Sequence, residues 1–213
     1  MAHYQADVII IGGGIVGCTT AYQLTRAGVD VLLLDRNGIG SGASGRSGGG
    51  VRQSARVSEE IPLAKASVAL FPGLSDELGV DIEYVQAGNL RVVESLDYRR
   101  AMQVDVARQQ SHGLDVSWLE VADVLELVPT LRWQSIIGAS YCPDDGHCNP
   151  LRLVTGFYNK AIEGGARVLL NCEVQNIVQK DNGLAEVETP AHTATAPVVI
   201  LAAGFGSQEL CYR

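Results

Sequence analysis

The period of the apolar positions changes several times along the chain, and each change marks an element. Val8, Ile9, Ile10 and Ile11 form an unbroken β-branched run, the pattern of a strand buried on both faces of a parallel sheet. Glycines follow at 12, 13, 14 and 17, and then a helical pattern from about Ile15 to Arg26, with Ala21 and Leu24 turned toward the sheet and Gly28 as its stop. A second buried run, Val29 to Leu34, ends in Asp35. From Arg36 to Arg52 no period holds, and glycine and serine dominate.

Beyond that tract, helical spacing returns. Ile61, Leu63, Leu70, Leu74 and Leu78 recur near it, Ser58 is the expected cap, and Pro72 must kink or divide the helix. Strand-like alternation from Ile82 to Val93, broken by Gly88-Asn89, predicts a hairpin. Leu96 to Gln110 reads as a solvated helix with Met102, Val104 and Val106 inward. Trp118-Leu119 is read as opening another short helical segment, Ala122 to Val128, stopped by Pro129. Ile136 to Cys142 is strand-like, and PDDGHCNP is a turn leading to a helix over about Leu151 to Glu163, with Asn149 as N-cap and Pro150 first in the helix. Strands are then expected over Ala166 to Leu170 and Glu173 to Val178. A ribbon of Leu184 to Thr189 with His192 to Ala196 follows, and then a last buried strand from Pro197 to Ala203.

The opening unit carries specific chemistry. Strand, glycines, helix, strand and acid arrive in order within one βαβ unit, which predicts a dinucleotide-binding turn. Gly12 permits the tight turn, Gly14 lets a pyrophosphate approach, and Gly17 lets the helix lie close to the strand. The amides of Ile15 and Val16 point from a helix N-terminus toward phosphate. Asp35 suits a ribose hydroxyl pair and repels a 2′-phosphate, so NADP is the least favoured dinucleotide. The tract GIGSGASGRSGGGVR is either a solvated linker or a ligand loop offering main-chain amides, the hydroxyls of Ser41, Ser44 and Ser47, and a cation at Arg46 or Arg52. Its departure from the carboxyl end of the second strand favours the ligand loop.

Composition narrows the picture. The 213 residues are 46% hydrophobic and carry a net charge of −8, which argues against a general nucleic-acid or anionic-membrane surface. No apolar run is long enough to span a bilayer and no signal segment is visible, so a cytoplasmic setting is the expectation. Five scattered cysteines without a CxxC pair predict no disulfide framework. Cys142, His147 and Cys148 supply too few ligands for a metal site, and none is expected. Asp144, Asp145 and His147 sit where turns favour such residues without any chemistry.

The combination VIIIGGGIVG, LLLDR and GASGRSGGGVRQ resembles the glycine oxidase, sarcosine oxidase and D-amino-acid dehydrogenase family of flavoproteins. The resemblance implies FAD, with Ile15 and Val16 beside the pyrophosphate and Asp35 with Arg36 beside the adenosine ribose. It sets Ala43, Ser44, Gly48, Gly49 and Gly50 on the flavin side, Val174 against adenine, and Gly204, after Ala203, closing the site. The family more often has glutamate at position 35. The architecture it implies is a doubly wound, Rossmann-like α/β FAD-binding domain over 1–81 and 142–213, interrupted at 82–141 by part of a β-rich substrate domain.

The activity it implies is oxidation of the C–N bond of an amino acid or secondary amine, with no side chain in this segment named as catalytic. Family members run on well past position 213, so a truncated chain or fragment is the expectation, with association through edges that further chain would cover. Two alternatives stay open at this point. A non-catalytic binding remnant would keep affinity for the ADP moiety alone, and an NAD-dependent dehydrogenase would explain the opening unit but not the long glycine-serine tract.

Overall fold

The computed structural model describes residues 2–132 and 134–211. In chain order the first elements are β1 (Ala2–Gln5), β2 (Val8–Ile11), α1 (Ile15–Arg26), β3 (Val31–Leu34), β4 (Gly50–Val51), α2 (Ile61–Val68) and α3 (Phe71–Leu78). There follow β5 (Asn89–Val93), α4 (Leu96–Ser111), β6 (Ser117–Leu119), α5 (Val121–Leu127), β7 (Gly138–Cys142) and β8 (Gly146–His147). The last are α6 (Pro150–Glu163), β9 (Arg167–Leu169), β10 (Asn176–Gln179), β11 (Ala185–Glu188), β12 (His192–Ala196), β13 (Val198–Leu201) and α7 (Ser207–Cys211). Two compact units emerge. One comprises Met1–Gly48, Leu78–Ile82 and Asn149–Arg213, and the other Gly49–Glu77 and Glu83–Cys148. Their bounds divide the chain differently from the expected 1–81, 82–141 and 142–213, because residues 49–77 group with the later stretch.

In the first unit the expected parallel sheet has the order β13-β2-β3-β9, with Ile9 opposite Leu32 and Ile10 opposite Ile200. The unbroken apolar runs are explained by burial on both faces. Gly17 of α1 lies over Ile10 on one face, and α1 packs on α6 through Tyr22 and Phe157, whose ring centroids are 5.6 Å apart. On the opposite face, Ile9, Ile11, Leu32 and Leu34 join Val187, Ala194 and Ala196 in one core cluster. A doubly wound sheet carries helices on both sides. Here the second side is covered by a four-stranded sheet of order β1-β12-β11-β10.

The expected start of α6 is present, and two glycines mark its end. The Asn149 side chain accepts from Arg152 N at 3.2 Å, Pro150 opens the helix, and Gly164 and Gly165 close it. Gly28, with φ +79°, stops α1. The ribbon pairs β11 with β12 as expected, while the stretch after Glu173 becomes β10 of the second sheet.

In the second unit a three-stranded antiparallel sheet has the order β5-β7-β6, and α2 and α3 split just ahead of Pro72. Four expectations are corrected. The hairpin over 82–93 does not form, because both of its halves pair elsewhere: Gly88 N donates to Asp145 O at 2.8 Å instead of closing a turn. Asn89 instead begins β5, which pairs with β7, while Val85 bridges to His147. Trp118-Leu119 is strand, because the reciprocal capping box of Glu120 and Asp123 starts α5 later. Ser58 does not cap α2, since the helix begins at Ile61 with Glu60 in the cap position; the Ser58 hydroxyl accepts from Arg108 Nη1 at 3.0 Å. Val104 and Leu63 are exposed because each lies two positions from a buried residue, Met102 or Ile61, which places it on another helix face; Leu70 is exposed in the break between α2 and α3.

Candidate functional site

The site in the first unit is built from main chain brought close to main chain. Gly12 follows β2 with φ +116°, and a Cβ there would stand 2.4 Å from the carbonyl oxygen of Ala202, which follows the neighbouring β13. A Cβ on Gly17 would stand 1.9 Å from the Gly12 carbonyl, so only glycine lets α1 begin this close to the turn. The first amide to return into the helix is Cys18, to Gly14 O at 2.9 Å. The amides of Val16 and Gly17 precede it and lie among the helix-start donors that no intrahelical carbonyl can satisfy.

The second tract is wired to the first at three points. Gly40 N donates to Gly13 O at 2.9 Å. The Ser44 hydroxyl accepts from Ile15 N at 3.0 Å and lies 3.0 Å from where a Cβ of Gly14 would be. The Asp35 carboxylate accepts from Gly13 N at 2.7 Å through Oδ2 and from Asn37 N at 2.8 Å through Oδ1. Two sequence expectations are thereby refined. The Ile15 amide is engaged by Ser44 rather than left free, and Asp35 ties two turns together while each oxygen keeps a second lone pair.

A cleft runs along this junction. Gly12, Gly14, Ile15, Val16, Asp35, Arg36, Ala43, Ser44 and Gly204 all line it, together with Arg46. A second cleft shares Gly12, Asp35, Arg36 and Ala203 with the first and adds Val174. Gly17 is buried behind the turn. Gly48 is exposed and lines neither cleft, and Gly49 and Gly50 belong to the second unit, where Gly50 pairs with His147. Gly13, Asn37, Cys172 and Leu210 also line these clefts and were not singled out from the sequence. Gly13 sat inside the motif and only needed its amide counted. For Cys172 and Leu210 the sequence carries no signal, because chain separation hides their approach.

The charges of the site are mixed: Arg36 and Arg46 stand against Asp35, Glu173 and Glu209. Cys18, one turn into α1, is buried, and that burial, with a smaller contribution from Asp35, pushes its thiol up to about 12. It therefore stays protonated and inert. Among the described residues no cluster suited to a metal ion occurs, all five cysteines are free, and no helix is long and apolar enough to cross a membrane.

A β-sheet switch point with two glycine tracts converging on helix-start amides is the arrangement on which α/β proteins of the nucleotide-binding class are built. The chain belongs to the FAD-dependent oxidoreductase family (DAO), whose family model matches residues 7–213. It is 31% identical over 209 residues to 4-methylaminobutanoate oxidase (formaldehyde-forming) of Paenarthrobacter nicotinovorans, covering 95% of this chain and 25% of that protein. The crystal structure of glycine oxidase from Geobacillus kaustophilus superposes with a TM-score of 0.93 at 28% identity, over 99% of this chain and 58% of that one. L-proline dehydrogenase from P. horikoshii gives a TM-score of 0.90 at 28% identity, over 98% of this chain and 55% of that one. The chain thus spans between a quarter and somewhat more than half of the length of these relatives.

Proposed function

We propose that the first unit binds FAD, its ADP moiety held along the two clefts, and that the protein oxidises the C–N bond of an amino acid or secondary amine. The observation that carries this reading is the junction of the two glycine tracts, Gly12 to Gly17 and Ser41 to Arg46, on one cleft. The donor chemistry fits the group. The helix-start amide at Val16 and the cations Arg36 and Arg46 suit a pyrophosphate, and the spare lone pairs of Asp35 suit ribose hydroxyls.

In this reading Val174 and Leu34 give an apolar wall to an adenine. The Ser44 hydroxyl, already accepting from Ile15, has its own proton left to donate toward phosphate. Gly48, Gly49 and Gly50 enter as flavin-side residues through family membership alone. When bound, FAD supplies the hydride acceptor for the carbon next to the substrate nitrogen. This chain's residues hold and orient the cofactor, and none of them needs to act as a base.

Purification followed by release and mass identification of the bound cofactor tests the proposal. FAD is expected, with bleaching of its visible band by an amine or amino-acid substrate. Colour without bleaching leaves a binding module, and saturable NADH binding without FAD competition overturns the reading in favour of a nicotinamide enzyme.

A further inference from the structure

Where β3 and β9 leave the parallel sheet of the first unit, their ladder carries one residue too many. Leu34 lies opposite Leu169, and Asp35 N donates to Leu169 O at 3.0 Å, as that register requires. A regular parallel pair would return the next bond to Asp35 O from residue 171. Cys172 N makes it instead, at 2.9 Å. Asn171 is the inserted residue. It sits at φ 51°, in the left-handed region, and its amide turns aside to Asn37 O at 2.9 Å. The result is a bulge around a left-handed residue, a place that glycine usually takes and asparagine tolerates.

The bulge joins the two sides of the second cleft. Leu34, Asp35 and Arg36 line it from the end of β3, and Cys172, Glu173 and Val174 line it from the chain just past the insertion. The bond to Asn37 O also holds the turn whose own amide, Asn37 N, donates to Asp35 Oδ1 at 2.8 Å. Buried and exposed positions alternate after the bulge, so one residue more or fewer at 171 exchanges them. With the insertion, Cys172 and Val174 join Ile11 and Leu34 in the core between the two sheets, and Glu173 is exposed. Without it, the Glu173 carboxylate would take the inward phase against that apolar face, at the cost of burying a charge.

We propose that Asn171 is a positioning residue for the adenosine end of the dinucleotide: its left-handed backbone sets the register that turns Val174, and not Glu173, inward as the apolar wall for adenine. The inference rests on the reading that the ADP moiety of FAD lies along this cleft. Asn171 lines neither of the two clefts that would hold that moiety. It acts through Cys172 and Asn37 and touches no reacting atom.

The test compares the whole chain with Asn171→Gly, which enters the left-handed region freely, and with Asn171→Val, which resists it. ADP and FAD are titrated well below the unfolding midpoint of each variant, so that only folded protein is read. Asn171→Val is expected to bind both about tenfold more weakly, the scale of the left-handed penalty for a residue with a Cβ, and Asn171→Gly to keep the parental affinity. Amide exchange without ligand reads the bulge itself: exchange at Asp35 and Cys172 rises in Asn171→Val and stays parental in Asn171→Gly. Should Asn171→Val fail to fold, Asn171→Ala carries the same comparison with a smaller strain. A lower unfolding midpoint with parental ADP affinity in Asn171→Val overturns the inference, since a turn that only supports the fold would give that result. Equal weakening in Asn171→Gly overturns it too, by moving the effect from the backbone to the side chain. A parent chain that takes up ADP but not FAD overturns the FAD reading alone, and one that takes up neither overturns both.

Discussion

Asp35 and Gly13 are joined by a 2.7 Å hydrogen bond from the glycine amide to the carboxylate, and the second oxygen of that carboxylate accepts the Asn37 amide at 2.8 Å. One half-buried acid at the end of β3 therefore braces both the glycine turn and the start of the glycine-serine tract. Its ligand role and its structural role share the same four lone pairs.

Asp35→Ala is accordingly expected to fail in two ways. Two amides lose charged acceptors, at roughly 1–3 kcal/mol in stability, seen as a lower midpoint in thermal or urea unfolding. FAD affinity falls beyond what that loss of stability explains, because the turn that presents helix-start amides is no longer braced. A variant with unchanged stability would show that the two hydrogen bonds are replaced by water at no cost.

The glycines divide by what they exclude. Gly17→Ala puts a Cβ 1.9 Å from a main-chain carbonyl, which must move, so a loss of about 1–3 kcal/mol and disrupted cofactor binding are expected. At Gly28, φ is +79° but nothing lies within 4 Å, so Gly28→Ala carries backbone strain of about 1 kcal/mol and leaves FAD binding alone. Unfolding midpoints and FAD titrations of the pair separate collision from strain.

This division also shows what was legible in the sequence. In the opening βαβ unit the first strand and Ile15–Arg26 were readable to the residue, and the second strand, which starts at Val31, to within two positions, because the signals are local: an apolar run, a glycine spacing, a cap. The site-facing acid was visible by its distance from the glycines, but its bond to Gly13 was not. Non-local pairing defeated the rest. The hairpin was lost because β7 competes for β5, and β1, whose AHYQ carries no apolar period, pairs with β12 about 190 residues later. Asp145 had the sequence context of a turn, and only its lack of exposure and its bonds from Gln53 N and Ser54 N reveal an anchor.

Ser44→Ala tests the join between the tracts. The hydroxyl takes the place of a side-chain cap that Gly14 lacks, accepting the Ile15 amide at 3.0 Å. Its loss is expected to destabilise the protein by about 1 kcal/mol, the usual effect of removing a helix cap. Saturating FAD restores part of that deficit if phosphate oxygens can take over the freed amide. Equal deficits with and without FAD would mean that phosphate does not reach Ile15.

The buried thiols set an alkaline limit on stability. Cys18 and Cys142 are each pushed from 9.0 to about 12, chiefly by burial. Below pH 9 folded and unfolded chains both hold these protons, and stability is at its full value. Between pH 9 and 12 the unfolded chain releases them and the folded chain does not, so the unfolded state binds fewer protons and stability falls as pH rises, by up to about 1.4 kcal/mol per pH unit per thiol. Urea midpoints at pH 8, 9.5 and 10.5 should decline in that order, and Cys18→Ala should flatten the decline. Independently, of the five free cysteines only Cys211 is exposed, so a thiol reagent at pH 8 should titrate one group in the folded protein and five after denaturation. More than one rapid equivalent would show that the core around Cys18 or Cys142 opens far more easily than its burial implies.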